Sequence, residues 1–144
     1  AGKSVALNLI VAHAALSLDC RLVLVDGKRV ELGVWKQCAD TFVGPSIDEA
    51  IGVLRDLQAE MDRRYERLLA SGRRKISTED GIPVILAVFD EVAYFSATVG
   101  EPKQQKEFTA LLRDLVARGR AAGVIVIAAR RNQRFENSVP VQRR

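Results

Sequence analysis

Three short runs in this chain are apolar at almost every position: Leu22-Val23-Leu24-Val25, Val84-Ile85-Leu86-Ala87-Val88-Phe89 and Val124-Ile125-Val126-Ile127-Ala128-Ala129. A strand with one wetted face alternates apolar and polar residues. A continuous run must be covered on both faces, which is the condition of a strand inside a parallel sheet. Stretches with helical spacing precede each run. The resulting order, helix, strand, helix, strand, helix, strand, predicts an α/β fold: a mainly parallel sheet with helices on both faces. At 144 residues the chain is long enough for one domain with a sizeable core.

The spacing predicts a first helix over 5–18, with Val5, Leu9, Ala12 and Leu16 on one face, then a strand over 21–26 that ends in Asp26. Gly27 and Gly33 punctuate the loop after it. Ser46 caps a long helix that runs to Gly72, with Glu49 completing a capping box. Its apolar positions are Ile47, Ile51, Leu54, Leu57, Met61, Tyr65 and Leu68, and Met61 and Tyr65 read as core. Arg55, Asp56, Asp62, Arg63 and Glu66 lie opposite. A polar loop over 73–81 leads to a strand over 83–89, and a loop over 94–103 leads to a helix over 104–120. That helix turns Phe108, Leu111, Leu112 and Leu115 inward and ends at Ala121-Ala122-Gly123, before a strand over 124–129.

Composition is that of a soluble globular domain, 48% hydrophobic and 28% charged, and no apolar run approaches the roughly 18 residues that span a bilayer. The net charge of +4 is carried entirely by residues 130–144, with five arginines and the single acid Glu136. Such a segment can touch phosphates or be a solvated end. Cys20 and Cys38 lack metal-ligand spacing and read as buried thiols of a reducing cytoplasm. His13 belongs to no catalytic set.

Two short motifs carry chemistry. Gly2-Lys3-Ser4 opens the first helix and matches the end of a phosphate loop, G-x-x-x-x-G-K-S/T. A helix N-terminus offers free amides and a positive dipole end to phosphate. In that reading Lys3 reaches the terminal phosphates of ATP and the Ser4 hydroxyl holds Mg²⁺. Asp90-Glu91 closes the second apolar run as a Walker B pair does. Asp90 would orient Mg²⁺ through water, and Glu91 would polarise the attacking water.

Further segments resemble a known family in order along the chain. Val25-Asp26-Gly27-Lys28 through Glu31-Leu32 resembles the V-D-P-K-x-x-E-L of FtsK/SpoIIIE-type DNA translocases. Glu60-Met61-Asp62-Arg63-Arg64-Tyr65 is similar to their E-M-E-R-R-Y, and Phe89-Asp90-Glu91 to their Walker B strand. Ala117-Arg118-Gly119-Arg120-Ala121-Ala122-Gly123 is similar to their K-A-R-A-A-G. The Val30-Glu31-Leu32-Gly33 form also resembles transfer ATPases of actinobacterial conjugative plasmids.

The resemblance implies a three-layer RecA-like P-loop motor core over 1–129, its first strand missing, with a separate basic segment over 130–144. It implies a hexameric ring that moves double-stranded DNA by ATP hydrolysis in the cytoplasm, with any membrane anchor outside this chain. It gives Arg120, and more weakly Arg118, the role of an arginine that completes a neighbour's nucleotide site. The chain departs from the pattern at Gly27, where the family's proline is replaced and the loop is expected to loosen. It departs again at 130–133, where the threonine and sensing glutamine are out of place and Gln133 stands two positions late. A type VII secretion ATPase and a catalytically inactive fragment are the competing readings.

Overall fold

The computed structural model describes residues 2–129, with the Lys3 side chain excepted; the basic segment 130–144, Gln133 included, lies outside the described residues. The elements are α1 (Gly2–Ala15), β1 (Cys20–Asp26), β2 (Thr41–Val43), α2 (Ile47–Ala70), β3 (Val84–Asp90), α3 (Pro102–Arg118) and β4 (Val124–Ala128). Their sheet is parallel throughout, in the order β2-β1-β3-β4, with Asp26 level with Asp90 across β1 and β3.

The continuous apolar runs are covered on both sides. Val23, Val25, Ile85, Ala87 and Phe89 point into a core shared with α2 and α3, where Phe108 packs edge-on against Phe89 and stacks on Phe95. Leu22, Leu24, Leu86 and Val88 point the other way, into a smaller core with Leu7 and Val11 of α1, Leu32 and the half-buried Trp35. Three layers result, as the alternation predicts. No described helix is long and apolar enough to cross a membrane.

Several expectations are corrected. α1 begins at Gly2, and it buries Leu7, Val11 and Ala14 while Val5, Leu9 and Leu16 stay largely exposed. The helix is apolar nearly all round, so periodicity could not choose its inner face. β2 is only three residues long and shows no pattern of its own; it exists because β1 offers it a parallel edge. The loop over 94–103 contains a π-helical turn, Tyr94–Thr98, and α3 starts two residues early because Pro102 suits the first helical turn behind a Glu101–Gln104 capping box. Ser46 Oγ does accept from the Glu49 N–H at 3.3 Å, but the reciprocal Glu49 bond is absent among the described residues. Cys38 is exposed and Cys20 half-buried, so neither is a core thiol; burial nevertheless raises the Cys20 pKa.

Arg64 is the least expected residue of the core. It sits on α2, 2% exposed, where its neighbours Arg63 and Arg67 face solvent. Nε donates to Glu60 Oε1 at 2.8 Å, Nη1 to the carbonyls of Ala122 (3.0 Å) and Gly123 (3.4 Å), and Nη2 to the carbonyl of Pro83 (2.8 Å). One guanidinium thus ties α2 to the starts of β3 and β4. It satisfies the carbonyls of Ala122 and Pro83 and adds a second, longer bond to that of Gly123, which already accepts from the Ile85 N–H at 2.9 Å. Burial, then the like charges of Arg21, Arg63 and Arg67, lowers its pKa.

Candidate functional site

The carboxyl ends of parallel strands, where loops leave the sheet, form the usual position for a ligand site in this architecture. β1 and β3 deliver Asp26 and Asp90 there side by side. Asp26 is fully buried and organises the loop that follows. Oδ1 accepts from the N–H groups of Lys28 (3.0 Å) and Arg29 (2.9 Å), and Oδ2 accepts from that of Leu32 (2.9 Å). The residue that ends a buried strand before glycine is well suited to such a turn.

Gly27 has a local reason. A Cβ there would come within 2.5 Å of the Tyr94 ring, so the loop lies too close to the turn that follows β3 for a side chain. The loop, expected to loosen at this glycine, is held by the Asp26 hydrogen bonds. Asp26→Ala is expected to leave the amides of Lys28 and Leu32 without an acceptor, Arg29 keeping only its longer bond to the Asp26 carbonyl, and to cost about 2–4 kcal/mol. Hydrogen exchange would show protection lost over 27–32 first, and unaltered exchange there would refute the role.

Glu91 follows β3 with φ at 56°, a left-handed conformation that side chains other than glycine's rarely adopt. Such strain costs on the order of 1–3 kcal/mol and gathers at functional positions. The Glu91 side chain is 15% exposed, with Lys28 Nζ 3.7 Å from Oε1. The Asp26 loop thus reaches Glu91 through Lys28 and the following turn through Gly27.

Asp90 is partly buried, and its carboxyl pKa is raised first by burial and then by the charges of Asp26 and Glu91. Ionised Asp90 is therefore a cost to the fold alone, one that grows as pH rises above the ordinary carboxylate range and that a divalent cation would offset. Among the described residues no cluster of three metal-ligating side chains occurs. A magnesium ion does not require one, because it commonly takes one or two protein oxygens and completes its shell with phosphate and water. The residues present fit that ion. Asp90→Asn is expected to leave the ligand-free melting temperature unchanged or higher at pH 7, while abolishing the rise that Mg-ATP produces. Thermal melts with and without Mg-ATP check both signs.

Four residues separate α1 from β1, so the helix runs back along the sheet. Its 14 residues cover about 21 Å, close to the roughly 23 Å of seven strand residues. Gly2 and the half-buried Ser4 therefore lie toward the carboxyl edge, with Asp90 and Glu91. Asn8 holds this end in place: its Oδ1 accepts from Trp35 Nε1 at 2.7 Å, and its Nδ2 donates to the Ser4 carbonyl at 2.9 Å.

Arg120 stands elsewhere. It is exposed in a 3₁₀ turn, 120–122, just before β4, and β4 begins opposite Ile85. The five residues from Ile85 to Asp90 span about 17 Å, so Arg120 is at the far edge of the sheet. It cannot serve the Asp90–Glu91 site of its own chain and is free to face another. Arg118, the weaker candidate, is engaged. It bonds Asp114 (2.6 and 2.7 Å) and Asp62 (3.1 Å) and lies over the Tyr65 ring.

Residues 1–95 match the model of the FtsK/SpoIIIE family. The chain belongs to that family. It is 31% identical to the DNA translocase FtsK of Chlorobaculum tepidum over 90% of its own length and 18% of that protein's. It is 36% identical to protein Tra of Streptomyces lividans over 64% of its length and 14% of that protein's. The chain thus spans less than a fifth of these relatives.

Two solved structures share the fold. The pCW3 conjugation coupling protein TcpA, a monomer with ATPγS, has a TM-score of 0.75 at 22% identity, over 90% of this chain and 39% of that one. ATPases 2 and 3 of EssC from Geobacillus thermodenitrificans give 0.70 at 15% identity, over 86% of this chain and 25% of that one. Their likeness extends the α/β reading to a P-loop ATPase fold within this FtsK/SpoIIIE-family chain.

Proposed function

We propose that the FtsK/SpoIIIE-family protein carrying this chain hydrolyses ATP to move double-stranded DNA, as a hexameric ring working in the cytoplasm. The observation that carries the reading is the convergence of the α1 N-terminus, Asp90 and the strained Glu91 on one edge of the sheet. Gly2 and the first amides of α1 would receive the phosphates, and Lys3 would meet the terminal ones. Ser4 and, through water, Asp90 would hold Mg²⁺, which when bound neutralises charge building up on the transferred phosphoryl group. Glu91 orients and polarises the attacking water, and the loop built on Asp26 steadies it through Lys28. Arg120, remote from its own chain's site, suits the role of an arginine offered to the next subunit.

The test is ATP turnover by the intact protein with and without duplex DNA. Stimulation by DNA, lost in Lys3→Ala, is the expected result. Equal turnover in Lys3→Ala, or stimulation by a secreted polypeptide in place of DNA, overturns the proposal.

A further inference from the structure

α3 sorts its charges by face. Its acids look toward α2: Arg55 Nε donates to Glu107 Oε1 at 2.8 Å, Gln58 Nε2 to Asp114 Oδ2 at 2.8 Å, and Arg118 closes on Asp114. Lys103, Lys106 and Arg113 form a separate row. Their spacing of three and seven residues keeps them on one side of the helix, and all three are exposed. None of them enters an ion pair among the described residues. The acids have been neutralised across the helix pair, and the bases have been left facing out.

The row borders a groove of about 390 Å³ between α3 and the π-helical turn, walled by Ser96, Gln105, Lys106, Thr109 and Arg113, with no acidic side chain among its described lining. The wall is held in place. Gln105 Nε2 donates to the carbonyls of Val99 (3.1 Å) and Gly100 (3.3 Å), and Thr109 Oγ1 donates to the Gln105 carbonyl at 2.9 Å. The turn that forms the other wall begins three residues after Glu91.

We propose that this face of α3 is a contact for the phosphate backbone of duplex DNA. Charge complementarity selects the occupant: three unpaired cations beside a hydroxyl-lined groove match phosphate oxygens, and such contacts position a duplex without reading its sequence. The row from Lys103 to Arg113 is about 15 Å long, enough to meet several phosphates of one strand. A duplex seated there touches the segment that directly follows Glu91, which gives bound DNA a short path to the hydrolytic residue. The inference rests on the proposal that duplex DNA is the substrate, and it adds which surface meets it.

The experiment measures DNA affinity of the intact protein against salt, for the wild type and for Lys103→Glu/Lys106→Glu/Arg113→Glu, with Mg-ATP binding and oligomeric state followed in parallel. The expected result is a salt slope, d log K/d log[salt], shallower by about 2–3 units, with ATP binding and oligomeric state unchanged. A milder variant, Lys103→Gln/Lys106→Gln/Arg113→Gln, should lower the slope in the same direction. An unchanged slope in both variants, with the wild type binding DNA, overturns the inference and leaves the DNA-translocation reading standing. Loss of self-association with an unchanged slope overturns it in favour of a subunit interface. A wild type that binds no DNA at any salt concentration overturns the underlying reading.

Discussion

Glutamine in place of Glu91 is expected to cut ATP turnover by about 10²- to 10⁴-fold, the usual contribution of a positioned general base. Nucleotide affinity should hardly change. Glutamine keeps the length and shape of the side chain, so the left-handed backbone at φ 56° and the packing after β3 are preserved. What it removes is the negative charge that draws a proton from water, and with it the ion pair to Lys28, which is worth at most about 1 kcal/mol at this exposure. The effect should therefore fall on kcat and spare the binding of Mg-ATP. Steady-state kinetics with direct nucleotide-binding measurements separate the two. A kcat within about tenfold of wild type would show that Glu91 is not the base.

Arg64→Ala is expected to be the most damaging substitution for the fold, costing about 3–5 kcal/mol. The alanine strands the carbonyls of Ala122 and Pro83 in a place water reaches poorly, and it leaves Glu60 without its buried partner. At the heat capacity and entropy of a chain this long, the melting temperature should fall by roughly 10 °C or more. Arg64→Lys keeps the charge but not the three-way fork, so it should recover only part of the loss. Denaturant unfolding of the three proteins gives the ranking. The turn gripped by Arg64 is also the one that displays Arg120, so hydrogen exchange in Arg64→Lys should rise over 120–123 before the rest of the sheet. A loss of less than about 1 kcal/mol in Arg64→Ala would show that water or repacking satisfies these carbonyls.

The candidate site was partly legible along the chain. Gly2-Lys3-Ser4 and Asp90-Glu91 announce themselves because each chemistry needs adjacent residues at an element's end, and an element's end can be read locally. The roles of Asp26 and Lys28 were not legible in the same way. Both lie in a segment that resembles the family's, but nothing in the segment shows that a buried carboxylate gathers three amides of its own loop, or that the loop leans on Tyr94 and Glu91. Arg64 was hidden between Arg63 and Arg67, identical in chemistry and differing from them only in the direction they leave the helix.

The sequence by itself determined the alternation of helix and strand and the parallel sheet covered on both faces. It also determined the two chemical motifs, because hydrogen-bonding periodicity and two-sided burial leave a repeating local signature. The tertiary structure alone decided which face of α1 turns inward and that β2 joins the edge beside β1. It also decided that Arg118 is spent on Asp114 and Asp62, and that Arg120 stands about 17 Å along the strands from Asp90. These are relations between segments tens of residues apart. They are set by which surfaces pack together, a choice that propensity and periodicity within any one segment do not encode.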